Sequence, residues 1–187
     1  AFQQDITERK EAEFGLERER ERLQRLLDRI NGLIGDVTEI VVTADSTEDI
    51  YERAVGRIGD DDAISRAWIG EYDPGARVVR PRTGGDDTVD LANEDAAPLA
   101  KAVEEQSLAR LDDSLAAPLR CQADEAGVVI PLTYRRTTYG VLAVYSRSQS
   151  FDEEETTVLR ALGRSIGAAV NDLLSKQTVT TDTVIDI

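Results

Sequence analysis

Gly127-Val-Val-Ile-Pro-Leu-Thr133 and Tyr139-Gly-Val-Leu-Ala-Val-Tyr-Ser146 are the two stretches of sequence that decide the fold. Both are short runs rich in β-branched, aliphatic and aromatic residues, which favour buried or half-buried strands. The polar residues between them, Tyr134 to Thr138, predict a reversal, so the two runs should form an antiparallel hairpin. Gly140 interrupts the second run, where a missing side chain usually marks a bulge or a close approach of another backbone.

A long helix is predicted after the hairpin, from about Asp152 to Lys176. Four carboxylates, Asp152 to Glu155, occupy its expected first turn, where they complement the positive end of the helix dipole. Apolar residues then recur at helical spacing, which predicts a helix that covers the sheet: Val158, Leu159, Leu162, Ile166, Ala169, Val170, Leu173 and Leu174. The stripe is longer than one domain face requires, so this helix is also expected to pair with the N-terminal helix or a second subunit.

Residues 8 to 44 predict another long helix, or two nearly continuous ones. Apolar residues lie seven apart, with Glu and Arg at the flanking positions: Leu16, Leu23, Ile30, Val37 and Ala44. A heptad repeat of this length is typical of a coiled coil and favours dimerisation. Gly32 and Gly35 predict a weak point near its middle. The alternative is that the stripe packs on its own domain.

The segment between the long helices predicts the rest of an α and β body. Asp45 or Ser46 is expected to cap a helix that begins at Thr47. Asp73-Pro-Gly-Ala76 predicts a turn between two strands. The expected elements, in chain order, are a helix over 47–57, strands near 66–72 and 77–82, a helix near 94–105, a short strand at 107–110 and a helical turn or two within 116–126.

Several of these segments resemble one known family. Ile130-Pro-Leu132, Tyr139-Gly-Val-Leu142 and Phe151-Asp-Glu-Glu154, followed by Leu162-Gly163 and Ile166-Gly-Ala-Ala169, are similar to the C-terminal half of a GAF domain. Upstream, Thr47–Val55 resembles the second GAF helix and Ala67–Tyr72 resembles the first strand. The resemblance implies an α+β, GAF-like fold. We therefore expect a central antiparallel sheet of about five to six strands, with the N- and C-terminal helices on one face and short helices or loops over the other.

A second resemblance lies at the N-terminus. Asp5-Ile-Thr-Glu-Arg-Lys-Glu-Ala-Glu13 is similar to the exit segment of PAS domains, which leads into a signalling helix. Val179–Ile187 favours a strand that has just begun. This order resembles the bacterio-opsin activator-like regulators of salt-loving archaea, so the sequence is expected to be part of a longer protein. The expected domains are a PAS exit segment at 1–15, a coiled-coil signalling helix at 16–44, a GAF domain at 45–176, and the start of another domain or a disordered tail at 177–187.

The composition agrees with a high-salt habitat. The formal net charge is -15 and the pI about 4.4, and Lys occurs only at positions 10, 101 and 176. Molar salt shortens the screening length to about 3 Å, which relieves self-repulsion on such a surface. Direct DNA contact by this segment is disfavoured, because phosphate binding depends on Lys and Arg. The resemblance assigns any DNA contact to an output domain outside this sequence.

Three further features of the sequence bear on the cellular location of the protein. No apolar run approaches the ~20 residues that cross a bilayer, and no signal sequence precedes the acidic, Arg-rich start. Cys121 is the only cysteine, so an intramolecular disulfide is excluded. We expect a cytoplasmic protein with no membrane partner.

Catalysis is disfavoured by what the sequence lacks. It contains no His, which removes the commonest general base and the usual haem ligand. A single Cys excludes thiolate-rich zinc and iron-sulfur sites. The carboxylate clusters, such as Asp60–Asp62, favour solvated loops over a cation site. Gly84-Gly85 is followed by acidic residues instead of the Lys of a phosphate-binding loop. We therefore expect no enzymatic activity, no catalytic residues and no metal site.

A ligand pocket is implied only by the GAF resemblance. It would lie on the sheet face opposite the terminal helices, under a roof formed by residues 91–124. Trp68 and Tyr72 share a strand face, Tyr145 belongs to a neighbouring strand, and Cys121 lies in the roof. These four residues would suit a planar apolar ligand; the alternative is that they fill the core. Cys121 is followed by Gln122, and the chain has a single thiol, so covalent bilin and methionine sulfoxide reduction are both disfavoured. The cofactor is left open.

Two functions remain. The first is a non-enzymatic sensory module that dimerises through its terminal helices and relays a small-molecule or upstream PAS signal to an output domain. The second is a passive dimerisation and spacer unit without a ligand. The dimer contacts expected in either case are Leu16, Leu23, Leu27, Ile30, Leu162, Ile166 and Leu173.

Overall fold

The computed structural model describes residues 2–83, 87–112, 121–122, 124–147 and 150–185. Of these, side chains are described from Thr7 to Lys176, except at positions 26, 29, 30, 33, 34, 37 and 41. The elements, in chain order, are α1 Phe2–Thr43, α2 Thr47–Gly59, β1 Ile64–Asp73, β2 Val78–Pro81, β3 Val89–Asp90, a 3-10 turn Glu94–Ala96, α3 Ala97–Glu105, β4 Ala109–Leu111, β5 Ala126–Tyr134, β6 Thr137–Ser146 and α4 Glu153–Ile185.

The strands form one six-stranded antiparallel sheet in the order β3-β2-β1-β6-β5-β4. The predicted hairpin is β5 and β6, which reverse between Tyr134 and Thr137. The sheet and its covering helices confirm the predicted α+β class. Pro131 is tolerated within β5 because β4 pairs with Gly127 to Val129, before the strand reaches the proline.

Gly140 occupies a point of close backbone approach, as its place in the strand pattern predicts. A Cβ atom at this position would lie 2.2 Å from the carbonyl oxygen of Gly70 on β1. No side chain fits there, so glycine is what allows β6 to pair with β1 at this register.

The first core cluster fills the space between the sheet and helices α2 and α4. Its members include Tyr51 of α2, Ile130 of β5 and Ile166 of α4, each less than 3% exposed. Two glycines bring α4 unusually close to β5. A Cβ atom at Gly163 would lie 2.8 Å from the carbonyl oxygen of Pro131, and one at Gly167 would lie 2.3 Å from that of Thr133.

The second core cluster lies on the other face of the sheet, beneath α3. Leu99 and Val103 of α3 pack there with buried side chains from β1, β2, β4, β5 and β6. The sheet therefore has a hydrophobic core on each side, with the long helix α4 on one face and the short helix α3 on the other. This arrangement matches the predicted layering.

Both helices of the first layer have capped N-termini. The Ser46 hydroxyl accepts a hydrogen bond from the Asp49 backbone N–H at 3.1 Å, so Ser46 and not Asp45 caps α2. At α4, the Asp152 carboxylate accepts from the Glu155 N–H at 2.7 Å, and the Glu155 carboxylate accepts from the Asp152 N–H at 3.2 Å. This reciprocal pair is a capping box and fixes where α4 begins.

Helices α1 and α4 run side by side in the same direction. Arg22 of α1 forms an ion pair with Glu154 in the first turn of α4. Farther along each helix, Ile40 and Leu173 pack against the same core cluster. The 42 residues of α1 span about 63 Å, and α1 is unbroken at Gly32 and Gly35.

Two further predictions concern segments near the ends of elements. The predicted strand over 179–187 is wrong for residues 179–185, because α4 continues to Ile185. The helical turns predicted within 116–126 fall largely outside the described residues, and β5 begins at Ala126.

Candidate ligand site and helix surfaces

The predicted ligand residues share one face of the sheet. Trp68 of β1 and Tyr145 of β6 are both buried in the second core cluster, and the Trp68 indole N–H donates a hydrogen bond to the Tyr145 hydroxyl at 3.4 Å. Tyr72 is partly buried and packs against the same cluster. The alternation of side chains along β1 explains why Trp68 and Tyr72 point to one face.

Cys121 lies at the edge of this cluster. Its thiol donates to the carbonyl oxygen of Leu111 at 3.3 Å. A Cβ atom at Gly127 would lie only 2.9 Å from the sulfur, so the glycine makes room for the thiol. Cys121 is 4% exposed, which gives it the burial of a core residue.

The cluster is packed where the structure describes it. Trp68, Cys121 and Tyr145 are 3%, 4% and 0% exposed. The four predicted residues are therefore brought together, but in the described residues they form core and not an open cavity. Residues 113–120, part of the expected roof, lie outside the described residues.

A polar network that the sequence reasoning missed borders the cluster. The Arg66 guanidinium lies 3.7 Å from the centre of the Tyr145 ring and forms an ion pair with Glu125 at 3.3 Å. Glu125 also accepts from the Ser65 hydroxyl at 3.2 Å and from the Gln122 backbone N–H at 3.2 Å. The network ties the segment that carries Cys121 to β1. Arg66 is two residues before Trp68, so strand alternation places it on the Trp68 face, but alternation does not identify Glu125 as its partner.

Burial keeps the Tyr145 hydroxyl protonated by raising its pKa. Burial is the main cause and raises the pKa of Tyr145 to about 12, while the Trp68 hydrogen bond and the Arg66 charge act in the opposite direction. The hydroxyl is therefore a neutral hydrogen-bonding group at physiological pH. It is suited to positioning a group and not to acting as a base.

The helix surfaces divide the predicted dimer contacts into two sets. On α1, Leu16, Leu23 and Leu27 are 71%, 51% and 52% exposed, and Phe14 is also exposed. The Ile30 side chain is outside the described set. Leu162 and Ile166 are 4% and 0% exposed and pack in the first core cluster. Their predicted role as dimer contacts is wrong, because a side chain buried in its own domain cannot also face a second copy.

Leu173 lies at the end of the same stripe and packs partly against the first core cluster. Leu174 beside it is 39% exposed. The α4 stripe thus serves the core along most of its described length.

Two kinds of feature are absent from the part of the chain that the structure describes. Within them, no group of three or more His, Cys, Asp or Glu side chains is arranged to hold a metal ion. None of the helices in the described part of the chain is both long enough and apolar enough to cross a bilayer.

The fold is that of a small α+β domain, in which the long terminal helices lie on one face of an antiparallel sheet and a short helix covers the other. The chain belongs to the GAF domain family, whose model matches residues 44–171. The match contains both core clusters and most of α4.

Comparison with known proteins agrees with this assignment. The chain is 40% identical over its whole length to the bacterioopsin transcriptional activator of Halobacterium salinarum, and it spans 29% of that protein's length. It is also similar in fold to the GAF domain of a Coxiella burnetii phosphoenolpyruvate-protein phosphotransferase, with a TM-score of 0.63, 15% identity, and coverage of 80% of this chain and 97% of that one. Free methionine-R-sulfoxide reductase of Neisseria meningitidis gives a TM-score of 0.63 at 12% identity, over 79% of this chain and 91% of that one.

Proposed function

We propose that this chain is a non-enzymatic sensory module of a transcriptional regulator, which forms a homodimer through α1 and relays a signal along α1 and α4. Its membership of the GAF family and its similarity to a haloarchaeal transcriptional activator support a regulatory role. The signal is a small molecule or the state of an upstream PAS domain, and the receiver is an output domain outside this sequence.

The exposed stripe on α1 is the observation that carries the proposal. Leu16, Leu23 and Leu27 are more than half exposed, and they follow the spacing of a helix that packs against another helix. Glu and Arg residues flank the stripe, as expected for the edges of a coiled coil. A second copy of the same helix covers such a stripe with matching apolar residues.

The ion pair between α1 and α4 connects the two helices along which the signal would pass. Glu154, paired with Arg22, belongs to the first turn of α4, and α4 is held against β5 by the close approach at Gly163 and Gly167. A change in the sheet therefore acts on α4 and through it on α1. A ligand drives the relay only if it binds one helix arrangement more tightly than the other.

The spacer without a ligand is the second candidate. The packing of Trp68, Cys121 and Tyr145 favours it, since these residues leave little room among themselves. The two functions share the dimer and differ only in whether a ligand changes it.

The experiment compares the molar mass of the wild type, Leu23→Glu and Gln24→Glu by light scattering in molar KCl. Both substitutions add one carboxylate at an exposed site of α1, but only Leu23 belongs to the stripe. We expect a dimeric wild type, a monomeric Leu23→Glu and a dimeric Gln24→Glu. A monomeric wild type, or a Leu23→Glu variant that stays dimeric, would overturn the role of α1.

Trp68 separates the sensor from the spacer. It is the only Trp in the sequence and lies in the candidate ligand cluster, so its emission reports on that cluster alone. A metabolite that shifts both Trp68 emission and the dimer dissociation constant supports the sensor. If no extract fraction or pure metabolite shifts either quantity, the spacer is favoured.

A further inference from the structure

An apolar cavity lies on the face of the sheet opposite the Trp68 cluster. It has a volume of about 100 Å³ and is bounded by the C-terminal end of α2, the start of β1, the end of β6 and the first turns of α4. Its apolar walls are formed by Ile58, Ile64, Phe151, Val158, Leu159 and Leu162. None of these residues belongs to the candidate ligand cluster.

The polar groups around the cavity are already satisfied. Arg57 donates to Asp36 at 2.9 Å, and Glu155 is held in the capping box with Asp152. The Ser146 hydroxyl donates to the carbonyl oxygen of Ala63 at 3.2 Å. The Asp61 carboxylate accepts from the Ala63 N–H at 2.9 Å. These contacts already engage the polar groups, and the remaining walls are apolar, so the cavity favours a neutral apolar ligand over a charged one that would lose its hydration there.

Size and polarity together define the ligand class. An engineered apolar cavity of about 150 Å³ binds benzene, and the cavity here, which is partly open at a polar rim, has about two-thirds of that volume. We propose that this cavity is a binding site for a small, neutral, apolar molecule about the size of a benzene ring or smaller.

The position of the cavity would allow such a ligand to act on the long helices α1 and α4. Val158, Leu159 and Leu162 belong to the first three turns of α4, and the neighbouring Glu154 pairs with α1. A ligand here would therefore fix the start of α4 relative to α2. This regulatory consequence rests on the proposed function, whereas binding itself does not.

Benzene is the probe for the test, and benzoate, of similar size but charged, is the control ligand. At benzene tenfold above its Kd, the melting temperature of the full chain should rise by about 3 to 6 °C, while benzoate should have no effect. Trp68 emission should stay unchanged, because Trp68 lies across the sheet from the cavity. Absence of a benzene shift in the wild type overturns the proposal.

Variants locate the site. Val158→Phe places a ring in the cavity and should remove the benzene shift. Leu174→Phe adds the same ring to an exposed position of the same helix and should keep the shift. If Val158→Phe does not fold, Ala63→Leu at the exposed rim should weaken binding at least tenfold. If benzene still raises the melting temperature of both cavity variants, or if benzene alters Trp68 emission, it binds at another site and the proposal is overturned.

Discussion

Gly167→Ala tests whether α4 sits as close to the sheet as the structure places it. The new Cβ atom would lie 2.3 Å from the carbonyl oxygen of Thr133 and 2.5 Å from two further Thr133 backbone atoms. These atoms belong to the backbone, so no side chain can rotate away to relieve the contact. Reaching an ordinary separation of 3.4 Å requires α4 to move by about 1.1 Å or more.

The magnitude follows from two opposing effects. Replacing Gly by Ala inside a helix favours folding by about 1 kcal/mol. Overpacking costs about 1 to 3 kcal/mol, and occasionally more, and a clash with backbone belongs at the upper end. We expect a net loss of about 2 kcal/mol, which lowers the melting temperature of a chain of this size by about 4 to 8 °C.

Gly56→Ala is the matched control. Gly56 lies within α2 and is exposed, and a Cβ atom added there would meet no other atom within 4 Å. This variant should gain about 1 kcal/mol, or about 2 to 4 °C. Thermal unfolding in molar KCl, followed by Trp68 emission and circular dichroism, measures both. A Gly167→Ala variant as stable as Gly56→Ala would refute the close contact between α4 and β5.

Three further predictions concern a helix end, a buried phenol and the surface charge. Gln106 ends α3 in the left-handed conformation, with φ 51°, which strains a residue that has a side chain. Gln106→Gly should therefore raise the free energy of unfolding by up to about 1 kcal/mol in denaturant titrations. A decrease in the free energy of unfolding would contradict backbone strain at Gln106. Because burial raises the pKa of Tyr145 to about 12, its contribution to stability should be complete below pH 10 and fall between about pH 10 and pH 12, where only the unfolded state loses the proton. Tyr145→Phe should reduce that slope in denaturant titrations without abolishing it, because burial also raises the pKa of Tyr51; an unchanged slope would contradict the prediction. At a net charge of -15, raising KCl from low to molar concentration should raise the melting temperature, and a salt-independent value would contradict this.

Local pattern was enough to predict most of the fold. The continuous apolar runs of the hairpin reflect strands that are buried on both faces, and the period-3.6 stripe of α4 reflects one buried face; both are properties of neighbouring residues. Gly140 was recognised for the same reason, since a glycine inside an apolar strand is unusual on its own.

The errors arose where one pattern fits two environments. Leu162 and Ile166 have the spacing of a dimer stripe and also that of a core face; only the position of the sheet shows that they are buried. The β-branched residues after Val179 favour a strand locally, but α4 is already formed there, and extending a helix is easier than starting one. The Arg66–Glu125 pair joins residues far apart in the sequence, and no local pattern predicts it.

Because α1 is held against α4 at Arg22, the number of residues before Arg22 fixes how the N-terminal end of α1 is rotated relative to the sheet. Each residue of an α-helix turns the chain by about 100°. One residue added to α1 before Arg22 would therefore rotate everything on its N-terminal side by more than a quarter turn relative to the sheet, whereas seven added residues nearly restore the original angle. The number of residues in α1 before Arg22 thus sets the angle, about the helix axis, at which the N-terminal end of α1 is presented relative to the sheet.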